Sequence, residues 1–413
     1  MLSYFKNLRK SELAMGGFVL VVLTVIANFM SYLFQFSMAR MLGPVDYGTL
    51  AVLTSLIYIF TIPTVSIQTL VSKYTTNFNV KNEFGKIKGM LFYLLGKMLI
   101  ISTIFFIIFA IISLFLSSNL NISYPLLIFT GIFIIGSFIY PIVAGILQGM
   151  KKFGVLGFNS IINCTIKLVL ALILVALGFK VYGAVAGFVF GVFAAFFIVF
   201  ISIREITSAK KEDMKIEMFS RSSIYTIIAM LFMVSLYSLD VIFAKTFFTP
   251  EIAGKYAVIS MIGKIILFVI LSITTAMFPI NSEKFAKGYE TKHILKKVLG
   301  FSTFLCILAL LFMIIFPKFI ISLLFGSAYT SFSGILLYIG ISFSFIALLN
   351  VLLLYIISID KLRAIELISM ALFLVLQIIL FTLFHSNITQ FSMAFMISSI
   401  MAFLGGLLLL NRK

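Results

Sequence analysis

Residues 39–53 read ARMLGPVDYGTLAVL, and residues 244–259 read AKTFFTPEIAGKYAVI. Ala39-Arg40 aligns with Ala244-Lys245, and Pro44 aligns with Pro250 after one inserted residue. Gly48-x-x-Ala51-Val52 then aligns with Gly254-x-x-Ala257-Val258. Each stretch is a turn between two apolar runs, marked by the proline and glycine that punctuate helices. A looser pairing sets ILQGMKKFG (146–154) against IISIDKLRA (356–364). Both pairings have an offset near 206–210, which makes the chain two tandem halves.

The solvent for those halves follows from composition. Of 413 residues, 62% are hydrophobic and 11% are charged. A soluble domain carries about 25% charged residues. No soluble interior is large enough for this much apolar surface, so the chain is expected to be an all-α polytopic membrane protein. Twelve runs are long enough to cross, roughly 14–38, 46–70, 89–116, 123–147, 155–177, 181–203, 222–247, 254–281, 297–317, 332–357, 362–384 and 389–410. The N-terminal run is too long for the h-region of a secretory signal and reads as a retained first helix. The polar stretch REITSAKKEDMKIEMFSRS separates the sixth and seventh runs. The expected organisation is therefore a six-helix bundle at 1–205, a cytoplasmic linker at 206–221 and a second six-helix bundle at 222–413. With an even number of helices per half, the repeat is parallel, one of the plans of membrane transporters.

Alternate loops divide the 31 lysines and arginines unequally. One set holds 23, from Lys6, Arg9 and Lys10 at the start to Arg412 and Lys413 at the end. The other set holds only Arg40, Lys180, Lys255 and Lys318. By the positive-inside rule both termini are cytoplasmic, in a cell-membrane protein. The net charge of +18 is then accounted for by anionic lipid at the inner face, and no nucleic-acid partner is needed.

The remaining four cations, Lys97, Lys167, Lys245 and Lys264, fall inside apolar runs, as does Asp240 in SLDVIFAK (238–245). An ionised group at the bilayer centre costs about 2.5–3.5 kcal/mol on insertion scales and usually faces the protein interior. Asp240 is about 10 Å inside the outer end of its helix, Lys264 about 15 Å deep and Lys167 about 18 Å deep, at 1.5 Å per residue. Lys245 stands at i,i+5 from Asp240, off the face that helical ion pairs share, and is expected to reach for the outer interface. The partner of Asp240 is then Lys264, Lys167 or water in a cavity. Lys97 is shallower, and Arg40 lies at the outer turn. Asn159, Asn163 and Lys167, each four apart, form a polar stripe on the fifth helix. Glu366 reads as interfacial, and the amides Gln35, Gln68, Gln148, Asn350 and Gln377 as bridges or cavity groups. Pro63, Pro141 and Pro279 are expected inside helices, where each invites a kink.

Several longer stretches carry a resemblance. ARMLGPVDYGTLAVLTSL (39–56) is similar to the first outer turn of polysaccharide-biosynthesis flippases. Residues 145–191, GILQGMKKFGVLGFNSIINCTIKLVLALILVALGFKVYGAVAGFVFG, resemble the fourth to sixth helices of that family. DVIFAKTFFTPEIAGKYAVISMIGKI (240–265) and LFGSAYTSFSGILLY (324–338) resemble it as well. The family belongs to the superfamily that also holds multidrug exporters and lipid-II flippases. The resemblance implies a MATE-like fold, a V-shaped pair of six-helix bundles around a central cavity. It also implies alternating access that carries a polyprenyl-pyrophosphate-linked oligosaccharide from the inner to the outer leaflet. Lipid-II flippases have two further helices, for which this chain has no room.

Four lysines against one aspartate make the membrane interior cationic, which suits a pyrophosphate head group better than a cationic drug. The expected cargo contacts are Lys167, Lys264, Asn163, Asn159, Lys97 and Arg40, with Asp240 as an ion-coupling site. Structural pairing between helices remains open for Asp240, Lys167 and Lys264. The alternative function is a cation-coupled (H+ or Na+) multidrug or small-molecule exporter. An enzyme is not expected: the outer loops are short, and no Ser/His/Asp set, phosphate-binding glycine loop or acidic metal cluster occurs. Two lone cysteines (Cys164, Cys306) and two histidines (His293, His385) give no material for a zinc-type site, and no cofactor is expected. Expected partners are the lipid-linked oligosaccharide, anionic lipid, and a glycan polymerase or glycosyltransferases of the same pathway.

Overall fold

The computed structural model describes residues 12–212 and 221–411. Lys6, Arg9, Lys10, Lys215, Arg412, Lys413 and residues 213–220 of the expected linker lie outside the described residues. Every regular element among the described residues is helical. In chain order these are α1 (Glu12–Phe60), α2 (Ile62–Val80), α3 (Phe84–Leu120), α4 (Tyr124–Gly149), α5 (Phe153–Leu174), α6 (Lys180–Ser202) and α7 (Arg204–Ser208). They continue as α8 (Arg221–Phe247), α9 (Pro250–Ala286), α10 (Lys292–Ile315), α11 (Pro317–Phe325), α12 (Leu336–Ser358), α13 (Ala364–Leu383) and α14 (Ile388–Asn411). A π turn at Val175–Phe179 joins α5 to α6, and a 3-10 turn at Ser327–Ile335 joins α11 to α12.

Ten stretches among the described residues are long and apolar enough to cross a membrane. Twelve separate runs are expected from the sequence. The difference arises because Val22–Val80 (59 residues) and Phe153–Ser202 (50 residues) run on without an intervening loop. Fifty helical residues span about 75 Å, against a hydrocarbon core of about 30 Å. Each long stretch is broken by a glycine in the left-handed region, Gly43 (φ 72) ahead of Pro44 and Gly178 (φ 92). A side chain would be strained at either position, so glycine makes a turn tight enough to leave no loop.

Two details of the sequence reading change. Rather than in a helix interior, Pro63 lies in the first turn of α2, where its missing N–H would have no helical partner in any case and invites no kink. Pro141 does lie inside α4. The stretch 318–331, left between the apolar runs 297–317 and 332–357, is mostly ordered as α11 and the 3-10 turn that follows.

The chain forms two compact units: Met1–Leu42 with Phe60–Met218, and Gly43–Ile59 with Phe219–Lys413. A division at 205 and 222 would leave Gly43–Ile59 with the N-terminal half, whereas its packing joins it to the second unit. The reason is a glycine-to-glycine approach. A Cβ on Gly48 would lie 2.8 Å from Gly254 Cα, and one on Gly254 would lie 2.5 Å from the Pro44 carbonyl carbon. Tyr47, 1% exposed, packs edge-on against Phe325 and Tyr329 at centroid distances of 6.2 and 6.4 Å. The two turns that align in the sequence are therefore in contact.

Each unit is built around one buried helix. In the first, α4 has 72% of its apolar window buried and packs on α2, α3 and α6, while α5 packs on α6. In the second, α12 has 78% buried and packs on α9, α10 and α14, while α13 packs on α14. The peripheral helices α3 and α10 bury only 17% each. These pairings correspond helix for helix between the units. In lipid the hydrophobic effect does not drive helices together, so close backbone approach and polar bridges do. Gly187 and Gly191 on α6 supply the approach to α5, where a Cβ on Gly191 would lie 2.8 Å from Asn163 Oδ1. The amides supply bridges: Gln68 Nε2 donates to Gln148 Oε1 at 2.9 Å between α2 and α4, and Gln377 Nε2 donates to the Leu236 carbonyl at 3.0 Å between α13 and α8.

Candidate functional site

In the first unit the stripe Asn159, Asn163 and Lys167 does lie on α5, but its members turn to different neighbours. Asn159 is 1% exposed and donates through Nδ2 to the Tyr140 hydroxyl at 3.2 Å; its Oδ1 has no hydrogen bond. Asn163 sits against the Gly191 backbone of α6. Lys167 donates to Ser31 Oγ at 3.0 Å. Its Nζ also stands 5.2 Å from the Phe34 ring and 4.9 Å from the Phe188 ring, which meet edge to face at 5.0 Å. Ser31 Oγ is 3.3 Å from Cys164 Sγ. The ammonium of Lys167 on α5 is thus held by one hydroxyl and two aromatic faces drawn from α1 and α6. Among the described residues it has no carboxylate within ion-pair distance. Ring faces stabilise a cation by about 0.5–2 kcal/mol but do not cancel its charge.

In the second unit the question of Asp240 resolves to Lys264. Asp240 on α8 is fully buried and Lys264 on α9 is 3% exposed, with Lys264 Nζ 3.7 Å from Asp240 Oδ1. The other carboxylate oxygen, Oδ2, accepts from Ser260 Oγ at 2.5 Å and from the Tyr256 hydroxyl at 3.4 Å. Oδ1 accepts no hydrogen bond. Lys264 Nζ also lies 5.8 Å from the Phe343 ring on α12. Tyr256, Ser260 and Lys264 recur every four residues, so one face of α9 presents all three to Asp240.

Lys245 corrects the sequence reading. It does stay off Asp240, but it does not reach for the interface: it is 5% exposed and donates to Thr49 Oγ1 at 3.2 Å. The turn segment Gly43–Ile59 folds over it and supplies that acceptor. Lys97 is exposed on the peripheral helix α3, with Nζ 3.5 Å from its own neighbour Tyr93 Oη. Arg40 is exposed just before the Gly43 break. Glu366 is 4% exposed and accepts from the Arg363 backbone N–H at 2.8 Å, closing a capping box on α13. Among the described residues no group of three His, Cys, Asp or Glu could hold a metal ion.

The sequence reading missed Ser31, Phe34 and Phe188 around Lys167, and Tyr256 and Ser260 around Asp240. The four-residue spacing of 256, 260 and 264 was a usable signal for the second group. Nothing local to Ser31, 136 residues from Lys167, signals the first.

No curated protein matches the chain. Solved structures do. An inward-facing multidrug resistance MATE family transporter of the MOP superfamily superposes with a TM-score of 0.71 at 13% identity, covering 92% of this chain and 94% of that one. The lipid II flippase MurJ, in an inward closed conformation, gives a TM-score of 0.66 at 14% identity over 94% and 87%. A MOP superfamily transporter from Pyrococcus furiosus, described as having a binding pocket of reversed polarity, gives 0.63 at 14% over 98% and 97%. At these identities the likeness establishes the fold alone, one shared with these three transporters. Residues 13–285 match the family model described as "Polysaccharide biosynthesis protein", and the chain belongs to that family.

Proposed function

We propose that the protein is a flippase that carries a polyprenyl-pyrophosphate-linked oligosaccharide from the cytoplasmic to the outer leaflet of the cell membrane by alternating access. The observation that carries this reading is Lys167, a cation set inside an apolar bundle with a hydroxyl and two rings but no carboxylate among the described residues. A half-buried charge without a counter-ion is costly in apolar surroundings, and an anionic head group would supply one. The family match and the likeness to MurJ support the same reading. The proposed cargo contacts are Lys167 and Lys264, with Asn159, Asn163, Lys97 and Arg40 as secondary contacts. The two long broken helices, counted as two crossings each, make twelve crossings, six on each side of a linker at 206–221 in a parallel repeat. The 23 cations of one loop set support a cytoplasmic position for both termini.

A second reading, a cation-coupled exporter, draws on the likeness to multidrug transporters, with Asp240 binding the coupling ion. Binding to purified protein in nanodiscs separates the two. Polyprenyl-pyrophosphate oligosaccharide should bind, inorganic pyrophosphate should compete, and Lys167→Ala should weaken binding about tenfold, the scale of one charge-assisted hydrogen bond. Tight binding of an organic cation with no binding of the lipid would overturn the flippase reading.

A further inference from the structure

We propose that Asp240, anchored by Ser260 and Tyr256, is a positioning residue that withholds Lys264 from the cargo and yields it to a phosphate by anion exchange. This rests on the reading of an anionic cargo. The two oxygens of Asp240 are used unequally. Oδ2 takes both hydroxyl donors, at 2.5 and 3.4 Å, while Oδ1 has only the Lys264 ammonium, at 3.7 Å. That distance is an ion pair but not a hydrogen bond. Among the described residues Lys264 makes no hydrogen bond at all; its other neighbour is the Phe343 ring. The carboxylate is therefore held firmly and the ammonium loosely. When Lys264 swings away on its flexible four-carbon stem, Asp240 keeps its two hydroxyl partners and does not follow.

A phosphate oxygen offers the ammonium what Oδ1 does not, charge-assisted bonds of about 2.7–2.9 Å. Exchange therefore improves the lysine's bonding, and re-formation of the pair gives a route for cargo release. A free coupling cation fits this cluster poorly, because at Oδ1 it would meet the Lys264 charge. In the described conformation Lys264 is 3% exposed, the withheld state of the exchange.

A purely structural ion pair and an exchanging one differ in sign. If the pair only holds helices together, replacing either partner harms binding or leaves it alone. If Asp240 competes with cargo for Lys264, its removal tightens binding. The test measures the affinity of the purified, nanodisc-embedded protein for polyprenyl-pyrophosphate oligosaccharide, together with transport turnover. The expected results are tighter binding by about tenfold in Asp240→Asn with slower turnover, and weaker binding by about tenfold in Lys264→Ala. The double variant Asp240→Asn/Lys264→Ala should bind as Lys264→Ala alone, because the gain runs through that lysine. Ser260→Ala, which frees Asp240 to close on Lys264, should weaken binding, and it carries the test if Asp240→Asn does not fold. Unchanged or weaker binding in Asp240→Asn overturns the proposal, as does unchanged affinity with lost dependence on an ion gradient. Loss of binding in Lys167→Ala beside an unaffected Asp240→Asn overturns this inference alone. A wild-type protein that binds neither the lipid nor pyrophosphate overturns the functional reading and this one with it.

Discussion

Gly254→Ala sets two opposing effects against each other. Alanine is the better helix former by about 1 kcal/mol, and Gly254 lies in the first turns of α9. Against this, the new Cβ would lie 2.5 Å from the Pro44 carbonyl carbon. The carbonyl oxygen lies closer still, and carbon atoms in contact sit about 3.5–4.0 Å apart, so the segment Gly43–Ile59 must retreat by at least about 1 Å. The obstacle is backbone, which has no rotamer to escape into, and overpacking of this kind costs about 1–3 kcal/mol. A retreat of that size also stretches the Lys245–Thr49 hydrogen bond from 3.2 Å past its limit, with a further loss of about 1.5–3 kcal/mol for a charged donor. The crowding wins by about 1.5–5 kcal/mol after the propensity gain. The assay is thermal unfolding of detergent-purified protein, with Gly96→Ala as reference. Gly96 is helical too, but a Cβ there meets nothing within 4 Å. Gly96→Ala should melt at or above wild type and Gly254→Ala clearly below it. A Gly254→Ala protein as stable as the Gly96→Ala protein would refute the claim that the two repeat glycines exist to let the backbones touch.

Thr49→Val removes the hydroxyl that accepts from Lys245 and leaves a buried ammonium unsatisfied; a loss of about 1.5–3 kcal/mol is expected in the same unfolding assay. Tyr140→Phe strips Asn159 of its Nδ2 acceptor while its Oδ1 already has none, which should cost about 1–3 kcal/mol. Single cysteines replacing Asn121 and Tyr289, both exposed, test topology on a cysteine-free background. A membrane-impermeant maleimide should label position 121 on intact cells and position 289 only after permeabilisation; the reverse pattern would invert the charge-bias argument.

The helices were legible because bilayer crossing imposes length and apolarity, and both are visible in one sequence. Their junctions were less so. The breaks at Gly43 and Gly178 are single left-handed residues, and no loop composition marks them. The 3-10 turn around Tyr329 looks like a loop until Tyr47 packs on it. Among the charges, Asp240 and Lys264 could be found because isolated ions in apolar runs need partners, and the helical period excluded Lys245. The fate of Lys245 was not readable, since its acceptor Thr49 is 196 residues away and reaches it only when the first turn folds onto the second unit. The same holds for Lys167, whose hydroxyl and one of whose rings come from α1, far away in the chain.

The most direct test of the central claim is the rate at which the protein, reconstituted in proteoliposomes, moves a fluorescent polyprenyl-pyrophosphate oligosaccharide between leaflets. Wild type should flip the lipid, Lys167→Ala should lose most of that rate and Lys167→Arg should recover much of it, with all three equally well folded. No flipping by wild type, together with organic-cation export driven by an imposed proton or sodium gradient, would contradict it.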